Sequence, residues 1–231
     1  MILELHPGIQ MRRLEIGAER SPLLVIDQFV ANAERLVRRA ASKQFTPTTR
    51  YFPGVRAEAP LSYQQLIASG LRGALAECFE LEARSFRFSM CHYSLVTTPP
   101  EQLASIQRVP HVDSLARAGL ASIHYLFKAP LGGTAFYRHR QTGFESIDES
   151  RAGVYFPLLE QQRARLPSAA GYISGDTEEF EQIASEAGVF NRMLVYRRNV
   201  LHSGCIGPQF VPDPDPASGR LSINCFFDPE V

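Results

Sequence analysis

The chain has 231 residues, 45% of them hydrophobic, which is enough to bury one sizeable core. Its 24 basic and 24 acidic side chains give a formal net charge of zero, so its overall charge would not attract nucleic acid or anionic lipid. Residues 1–10 lack the pattern of a signal peptide and no apolar stretch is long enough to span a bilayer, which predicts a cytoplasmic protein without membrane contact.

The first third of the sequence predicts a helical support for the strands that follow it. Its predicted elements are strands over 2–5 and 23–26, an amphipathic surface helix over 31–43, a loop over 46–60 and a second helix over 62–79. Apolar residues that recur at helical spacing among charged ones indicate the first helix. Ser62, with Gln65 three residues later, has the pattern of a capping box and indicates the start of the second.

Strands dominate the remainder of the sequence. In chain order, the predicted elements are strands over 84–95, 120–128 and 134–140, helices over 156–165 and 176–187, and strands over 192–196 and 220–227. Side chains alternate along the first of these strands, which predicts Phe86 and Met90 on one face and Tyr93 on the other. Asp176, with Glu179 three residues later, predicts the cap of the last helix.

Three side chains of this strand-rich part have the chemistry of a metal site. His111 and Asp113 lie two residues apart, so in an extended segment both project to the same face and can bind one ion. His202 has to come from another strand, because a third ligand on the same short segment could not reach the ion. Two imidazoles and one carboxylate are the ligands that hold a non-haem Fe(II) on one side and leave positions open for substrate and dioxygen.

The order of these residues resembles a known signature. His111-x-Asp113, the distant His202 and then Arg220-x-Ser222 are similar to the motif of the Fe(II)/2-oxoglutarate-dependent dioxygenase superfamily. The resemblance implies that His111, Asp113 and His202 are both the metal ligands and the catalytic centre. It also implies that Arg220 and Ser222, on one face of a strand, bind the far carboxylate of 2-oxoglutarate.

Other segments resemble the prolyl-hydroxylase-like branch of that superfamily, and the chain is similar to bacterial members of the branch. Residues 125–127, Tyr-Leu-Phe, and 132–136, Gly-Gly-Thr-Ala-Phe, are similar to its tyrosine-leucine strand and Gly-Gly turn. Tyr93 resembles the branch tyrosine that helps to bind 2-oxoglutarate, but a longer segment, 94–110, separates it from the metal motif. The resemblance implies a cofactor-binding role for Tyr93; the alternative is an ordinary core residue.

The fold implied by the resemblance is mainly β with flanking helices, around a double-stranded β-helix, the jelly-roll core that is also found in cupins. Residues 1–231 would form a single Fe(II)/2-oxoglutarate dioxygenase-like domain. Within it, the helical N-terminal support would cover about 1–83 and the barrel about 84–231. A charged stretch over about 141–190 would be an insertion, which is either a lid over the site or external bracing.

The implied activity is that of an oxygenase that hydroxylates a C–H bond of an amino acid, peptide or small metabolite and releases succinate and CO2. Fe(II) would be the cofactor, 2-oxoglutarate the co-substrate and ascorbate a reductant, and dioxygen and a small-molecule or peptide substrate would be its partners. Asp113 stands where the superfamily's halogenases have a small residue, which argues against chlorination. The second arginine that nucleic-acid demethylases carry after the first is missing after Arg220. The primary substrate and the oligomeric state are left open.

Two other classes of function fit parts of this pattern. One is a cupin-like metal-binding barrel that acts as a non-oxidative isomerase or as a ligand-binding protein, and the other is a catalytically inactive scaffold. Arg220 with Ser222 favours the oxygenase, because neither alternative needs a site for a dicarboxylate. His124, Tyr137 and His139 are further candidates for ligand contact, although a lone histidine on a strand is more often structural.

The four cysteines do not form a recognisable site. No Cys-x-x-Cys spacing occurs among them, which argues against a zinc knuckle or a redox pair and predicts free, buried thiols. They are Cys78, Cys91, Cys205 and Cys225.

Overall fold

A computed structural model describes residues 2–165 and 171–230. This part of the chain contains two antiparallel sheets with helices beside them. The strands are β1 (Gln10–Ile16), β2 (Ser21–Asp27), β3 (Gly54–Glu58), β4 (Ser85–Val96), β5 (Leu120–Tyr125), β6 (Gly133–His139), β7 (Phe180–Ala187), β8 (Met193–Arg197), β9 (His202–Cys205) and β10 (Leu221–Glu230). The helices are α1 (Ala33–Ala41), α2 (Leu61–Gly70), α3 (Arg72–Phe79) and α4 (Glu149–Arg163).

The large sheet has the strand order β1-β2-β8-β5-β10-β4-β3, and the small sheet has the order β7-β6-β9. Neighbours in both sheets are antiparallel. This arrangement confirms the predicted fold, which is mainly β with flanking helices around a jelly-roll core. No helix in the described ranges combines the length and the apolar character that a bilayer crossing requires.

The two faces of the large sheet have different partners. On β10, Leu221, Ile223 and Cys225 pack against the helices α1, α2 and α3 in one buried cluster, which includes Leu36 and Ile67. The alternate residues of β10 face the small sheet. Between the sheets, a second cluster contains Val25, Leu194 and Tyr196 of the large sheet and Phe136 of the small one. The cavity described below opens on this second face.

A β-bulge changes the alternation along β4. Its register against β10 shifts between Phe226 and Phe227. Met90 pairs with Phe226 and Phe88 pairs with Phe227, so Ser89 is the extra residue of the bulge and has no opposite residue on β10. Before the bulge, Phe86 therefore packs with the helices. After it, the residues that do so are Cys91, Tyr93 and Leu95. The prediction that Phe86 and Met90 share a face was wrong for this reason.

Several N-terminal elements also differ from the prediction. The edge strand is β1, whose exposed face is charged, whereas residues 2–5 contribute only an isolated bridge from Leu5 to Val30. The helix predicted over 62–79 is two helices that meet at Leu71, and Ser62 makes no cap. The predicted loop 46–60 contains β3, so three strands accompany the helices of this region.

Residues 176–187 form a turn and strand β7 instead of the predicted helix. Asp176 accepts a hydrogen bond from the backbone N–H of Gln182 at 2.7 Å, so it closes a turn instead of capping a helix. The strand forms because β6 offers an unpaired edge, and the pairing extends from Phe180 to Ala187. The helix predicted over 156–165 is α4, which begins earlier because Asp148 accepts hydrogen bonds from two backbone N–H groups at its start.

Candidate metal centre

Backbone pairing brings two of the predicted ligands together. The N–H of His111 donates to the carbonyl of His202 at 2.9 Å, and the N–H of His202 donates back at 3.0 Å. His202 is the first residue of β9. These two hydrogen bonds therefore hold the segment that carries His111 against the beginning of β9. Asp113 is fixed in turn, because its N–H donates to the carbonyl of Arg198 at 2.8 Å.

The side chains of His111, Asp113 and His202 converge on one point. Asp113 Oδ1 lies 3.6 Å from His111 Nε2, and Asp113 Oδ2 lies 3.4 Å from His202 Nε2. One ligand atom from each residue lies within 4.8 Å of the others. Atoms bound about 2.1 Å from one ion lie about 3 Å apart when they are neighbours on its surface, so small rotations of these side chains would close the site.

The hydrogen bonds and the burial of Asp113 and His202 fit a bound cation, whereas the side chain of His111 is 47% exposed. His202 Nδ1 donates to the carbonyl of Val200 at 2.9 Å, which leaves the lone pair of Nε2 directed at the site. Asp113 Oδ2 is buried without a hydrogen-bond donor, and burial raises the pKa of this carboxyl. Burial also lowers the pKa of His202 to about 4, which favours the neutral imidazole that binds metals.

The three residues line a cavity of about 560 Å³ between the two sheets. This volume lies within the range of about 300–1,000 Å³ that is typical of small-molecule sites. Polar groups converge in it, because Arg56, Arg220 and Ser222 line the same space. The arrangement therefore combines a candidate metal site with two guanidinium groups.

Arg220 is a buried cation in this cavity, with 3% of its surface exposed. Its Nε donates to the carbonyl of Leu131 at 2.8 Å and its Nη2 to that of Gly133 at 2.7 Å. Within the described ranges, no carboxylate lies within 4 Å of the guanidinium, and burial lowers its pKa. Because a buried charge without a counterion is costly, this position suits an anionic ligand.

The turn that carries both carbonyls explains the two consecutive glycines of the sequence. Gly132 has a positive φ of 87°, and a Cβ added there would lie 2.1 Å from the carbonyl oxygen of Cys205. Any other residue at position 132 would therefore move the turn, and with it the carbonyl groups of Leu131 and Gly133 that accept hydrogen bonds from Arg220.

Ser222 lies in the same cavity and is already hydrogen-bonded. Its Oγ is 2.7 Å from Asn224 Oδ1, on the same face of β10. The structure thus brings together five of the six predicted site residues. They are His111, Asp113, His202, Arg220 and Ser222.

Comparisons with protein families and solved structures show to which family the chain belongs and which fold it has. A family of unknown function, DUF6445, matches residues 7–227. The chain belongs to DUF6445. No curated protein matches the sequence significantly.

Solved structures share the fold of this DUF6445 protein at low sequence identity. HygX from Streptomyces hygroscopicus, solved with nickel and 2-oxoglutarate bound, is 11% identical, with a TM-score of 0.54 over 91% of this chain and 84% of that chain. The non-heme α-ketoglutarate-dependent epimerase SnoN from nogalamycin biosynthesis is 13% identical, with a TM-score of 0.53 over 91% and 77%. The carbocyclase SnoK is 9% identical, with a TM-score of 0.51 over 91% and 81%. The DUF6445 chain therefore has the fold of 2-oxoglutarate-dependent oxygenases.

Tyr93 lies on the other side of the large sheet from the cavity. It pairs with Ile223 and Ala57, and it is fully buried in the cluster between the sheet and the helices. Side chains alternate along β4, so Ser94, which pairs with Ser222, is on the cavity side. This position disagrees with the expected role of Tyr93 in binding 2-oxoglutarate and agrees with the alternative of a core residue.

Tyr93→Phe is expected to raise the free energy of unfolding by about 1 kcal/mol, because the buried Tyr93 hydroxyl has no hydrogen-bond partner among the described residues. Tyr125→Phe is the matched control, since the Tyr125 hydroxyl lies 2.6 Å from Thr134 Oγ1. In that variant the free energy of unfolding should fall by about 1 kcal/mol, because this hydrogen bond is lost. Urea unfolding of both variants measures the difference, and a clearly destabilised Tyr93→Phe would contradict this placement.

The other candidates for ligand contact are structural. His124 lies between the Tyr63 hydroxyl and Asn191 Oδ1, each at 3.1 Å, in the helix-side cluster. His139 is 2.9 Å from both Thr142 Oγ1 and Gln162 Oε1. Their rings use both nitrogens in these contacts. Tyr137 is buried in a cluster between the small sheet and α4. None of the three is among the cavity-lining residues of the described chain.

The cysteines of the DUF6445 protein are free thiols, as the sequence predicts, and Cys205 alone of the four is partly exposed. Cys91 and Cys225 pair across β4 and β10 with their Sγ atoms 2.9 Å apart, on the helix side of the sheet. Neither contributes to the candidate metal centre.

Arg56 is a charged residue of the cavity that sequence reasoning missed, and Asn224 is a polar one. Arg56 lies on β3, which the sequence predicted as loop because Pro53 and Pro60 flank it. Gly54 gave no signal for a strand, because glycine is uncommon in strands; the reason for it, a Cβ that would lie 2.1 Å from the carbonyl oxygen of Leu95 on the neighbouring strand, is visible only in the structure.

Proposed function

We propose that this protein is an Fe(II)- and 2-oxoglutarate-dependent oxygenase. The observation that carries the proposal is the convergence of two imidazoles and one carboxylate in a cavity that also holds a buried guanidinium, for which the described residues provide no counterion. His111, Asp113 and His202 would bind the iron through Nε2, a carboxylate oxygen and Nε2. When bound, the iron would supply the reaction of dioxygen with 2-oxoglutarate and a substrate C–H bond, in which one oxygen atom enters succinate as CO2 is released and the other enters the substrate as a hydroxyl group.

Arg220 would bind the far carboxylate of 2-oxoglutarate. Two of its nitrogens are held by carbonyls of the glycine turn, and Nη1 makes no hydrogen bond to a described residue, so this donor would be available to a ligand. Fixing the guanidinium in advance reduces the ordering cost of binding. Neither a non-oxidative isomerase nor a scaffold requires such a group.

Ser222 would assist Arg220. Its hydroxyl is next to the amide of Asn224. When the amide presents Nδ2 to Ser222 Oγ, the serine accepts a hydrogen bond and its own proton becomes free for a carboxylate. Asn224 would therefore orient the hydroxyl.

Helix α4, within the predicted insertion 141–190, would contribute to substrate enclosure. It supplies Tyr155, Phe156 and Leu159 to the cavity lining, which supports the interpretation of this helix as a lid more than as external bracing. Residues 166–170 of the predicted insertion lie outside the described residues, and residues 180–187 belong to the small sheet as β7. The cavity size suits a small molecule or a single side chain of a peptide. We propose hydroxylation as the outcome and one domain over 1–231 as the working unit, although the neighbours in structure include an epimerase and a carbocyclase.

The direct test uses the purified protein, reconstituted with Fe(II) under anaerobic conditions. We expect one iron per chain and a 2-oxoglutarate affinity that depends on the metal, measured by the visible absorption of the complex. Admitting air in the presence of ascorbate should then release succinate slowly without added substrate. If the iron-loaded protein binds no 2-oxoglutarate, the proposal is wrong and a non-oxidative barrel becomes the better interpretation.

A further inference from the structure

A second arginine lines the cavity and is held in a fixed orientation. Arg56 Nε donates to Ser94 Oγ at 3.2 Å, and Nη1 lies 3.6 Å from the sulfur of Met90. Its guanidinium covers the ring of Phe52, with 4.2 Å between the guanidinium carbon and the ring centroid. These contacts prepare a flat, cationic surface inside the cavity.

No carboxylate of the described chain forms an ion pair with Arg56. The side chain is partly withdrawn from water, and this burial lowers its pKa. Asp113 is near enough to act on Arg56 electrostatically, but the two do not approach within 4 Å. The cation is therefore one that an anionic ligand would stabilise.

Arg56 and Arg220 point to opposite ends of the cavity. Arg56 pairs with Ser94 on β4, whereas the carbonyl of Arg220 accepts a hydrogen bond from the N–H of Val96, two residues further along that strand. From there, Arg56 extends toward Met90, whereas Arg220 turns away from the sheet to the carbonyls of the glycine turn. One dicarboxylate bound at Arg220 would therefore leave Arg56 free for a different molecule.

Aromatic side chains line the same cavity as Arg56, and one of them, Phe52, is in contact with its guanidinium. Tyr51 and Phe156 are two others, and they keep 58% and 40% of their surface exposed. Large apolar groups at this exposure are favourable contacts for an apolar ligand. Because the guanidinium of Arg56 stacks on the ring of Phe52, a positive charge and an apolar surface lie next to each other in the cavity.

We propose that Arg56 binds a carboxylate of the primary substrate, whose apolar or aromatic part packs against Tyr51, Phe52 and Phe156. The substrate class is thus a small organic acid with an apolar body. This inference rests on the proposed function, because it takes Arg220 as the site of the co-substrate. Arg56 would set specificity by rejecting neutral analogues, since these would leave its charge without a partner.

The test compares the binding of three matched probes by ligand-observed NMR titration. The probes are 3-phenylpropanoate, its neutral amide and 2-phenylethylphosphonate. Titrations use the metal-free protein and the protein loaded with Ni(II) and 2-oxoglutarate. We expect the carboxylate to bind about tenfold more tightly than the amide in both forms, as a charge-assisted hydrogen bond would give. The phosphonate distinguishes recognition of a carboxylate from that of a phosphate-like anion, and its tighter binding would overturn the carboxylate assignment.

Arg56→Met should remove the preference for the acid, and Arg56→Lys should retain part of it. Arg87→Met is the control, since Arg87 is exposed on β4 and does not line the cavity. Equal binding of acid and amide by the parent, or an acid preference that survives in Arg56→Met, would overturn the inference. So would loss of the preference in Arg220→Met alone, because the acid would then occupy the co-substrate site. Failure of 2-oxoglutarate to bind would instead count against the proposed function, and the metal-free titration would still report on Arg56.

Discussion

Replacing Asp113 with alanine is expected to abolish stoichiometric binding of Fe(II) and to lower succinate formation at least about 100-fold. The carboxylate is the only negatively charged ligand of the proposed set, and the two neutral imidazoles alone would hold a divalent ion weakly. Metal analysis after anaerobic reconstitution and gel filtration measures the first effect. The succinate released under air measures the second.

The stability of the metal-free Asp113→Ala protein separates loss of a ligand from loss of the fold. Because Asp113 Oδ2 is buried without a donor, its removal should leave the melting temperature of the metal-free protein unchanged or higher. The parent should gain stability when Fe(II) is added, and the variant should not. Asp215→Ala, at an exposed position outside the cavity, is the matched control. Full iron occupancy in Asp113→Ala would refute the assigned ligand set.

Replacing Arg220 with methionine is expected to weaken the binding of 2-oxoglutarate about 100-fold, by analogy with truncated charge pairs in buried sites. Iron binding should persist, because no ligand of the metal site is altered. Anaerobic titration of 2-oxoglutarate into the iron-loaded variant gives the dissociation constant.

A second co-substrate analogue makes the Arg220 experiment specific. 2-Oxobutanoate keeps the keto acid that would bind iron and lacks the far carboxylate. It should therefore bind the parent and Arg220→Met with similar affinity. An equal loss of affinity for both keto acids would show general damage to the cavity, and an unchanged affinity for 2-oxoglutarate would remove Arg220 from the co-substrate site.

Sequence reasoning succeeded where the signal is local. His111 and Asp113 are two residues apart, and Arg220 and Ser222 have the same spacing, so the period of an extended segment predicts that the members of each pair share a site, and all four line the cavity. His202, which was predicted from the order of the motif, lines it too. The jelly-roll followed from the resemblance to the superfamily.

The failures come from interactions between distant segments. The capping pattern at Asp176 is compatible with a helix, and only the free edge of β6 makes the following residues a strand. Similarly, Ser89 enters a bulge because of the register that β10 imposes, which no alternation within β4 reveals. Arg56 was missed because β3 was predicted as loop. The prolines on either side of it indicate a loop, and the strand forms only through its pairing with β4.

The reciprocal peptide hydrogen bonds between His111 and His202 have a consequence for how this centre can change. The distance between those two chain positions is set by main-chain atoms, which every amino acid except proline provides in full. An exchange of one side chain for another donor, such as cysteine or aspartate, would thus alter the ion preferred without displacing the opposite ligand. If the proposed metal binds there, the same scaffold would therefore allow it to be replaced gradually, one coordinating group at a time.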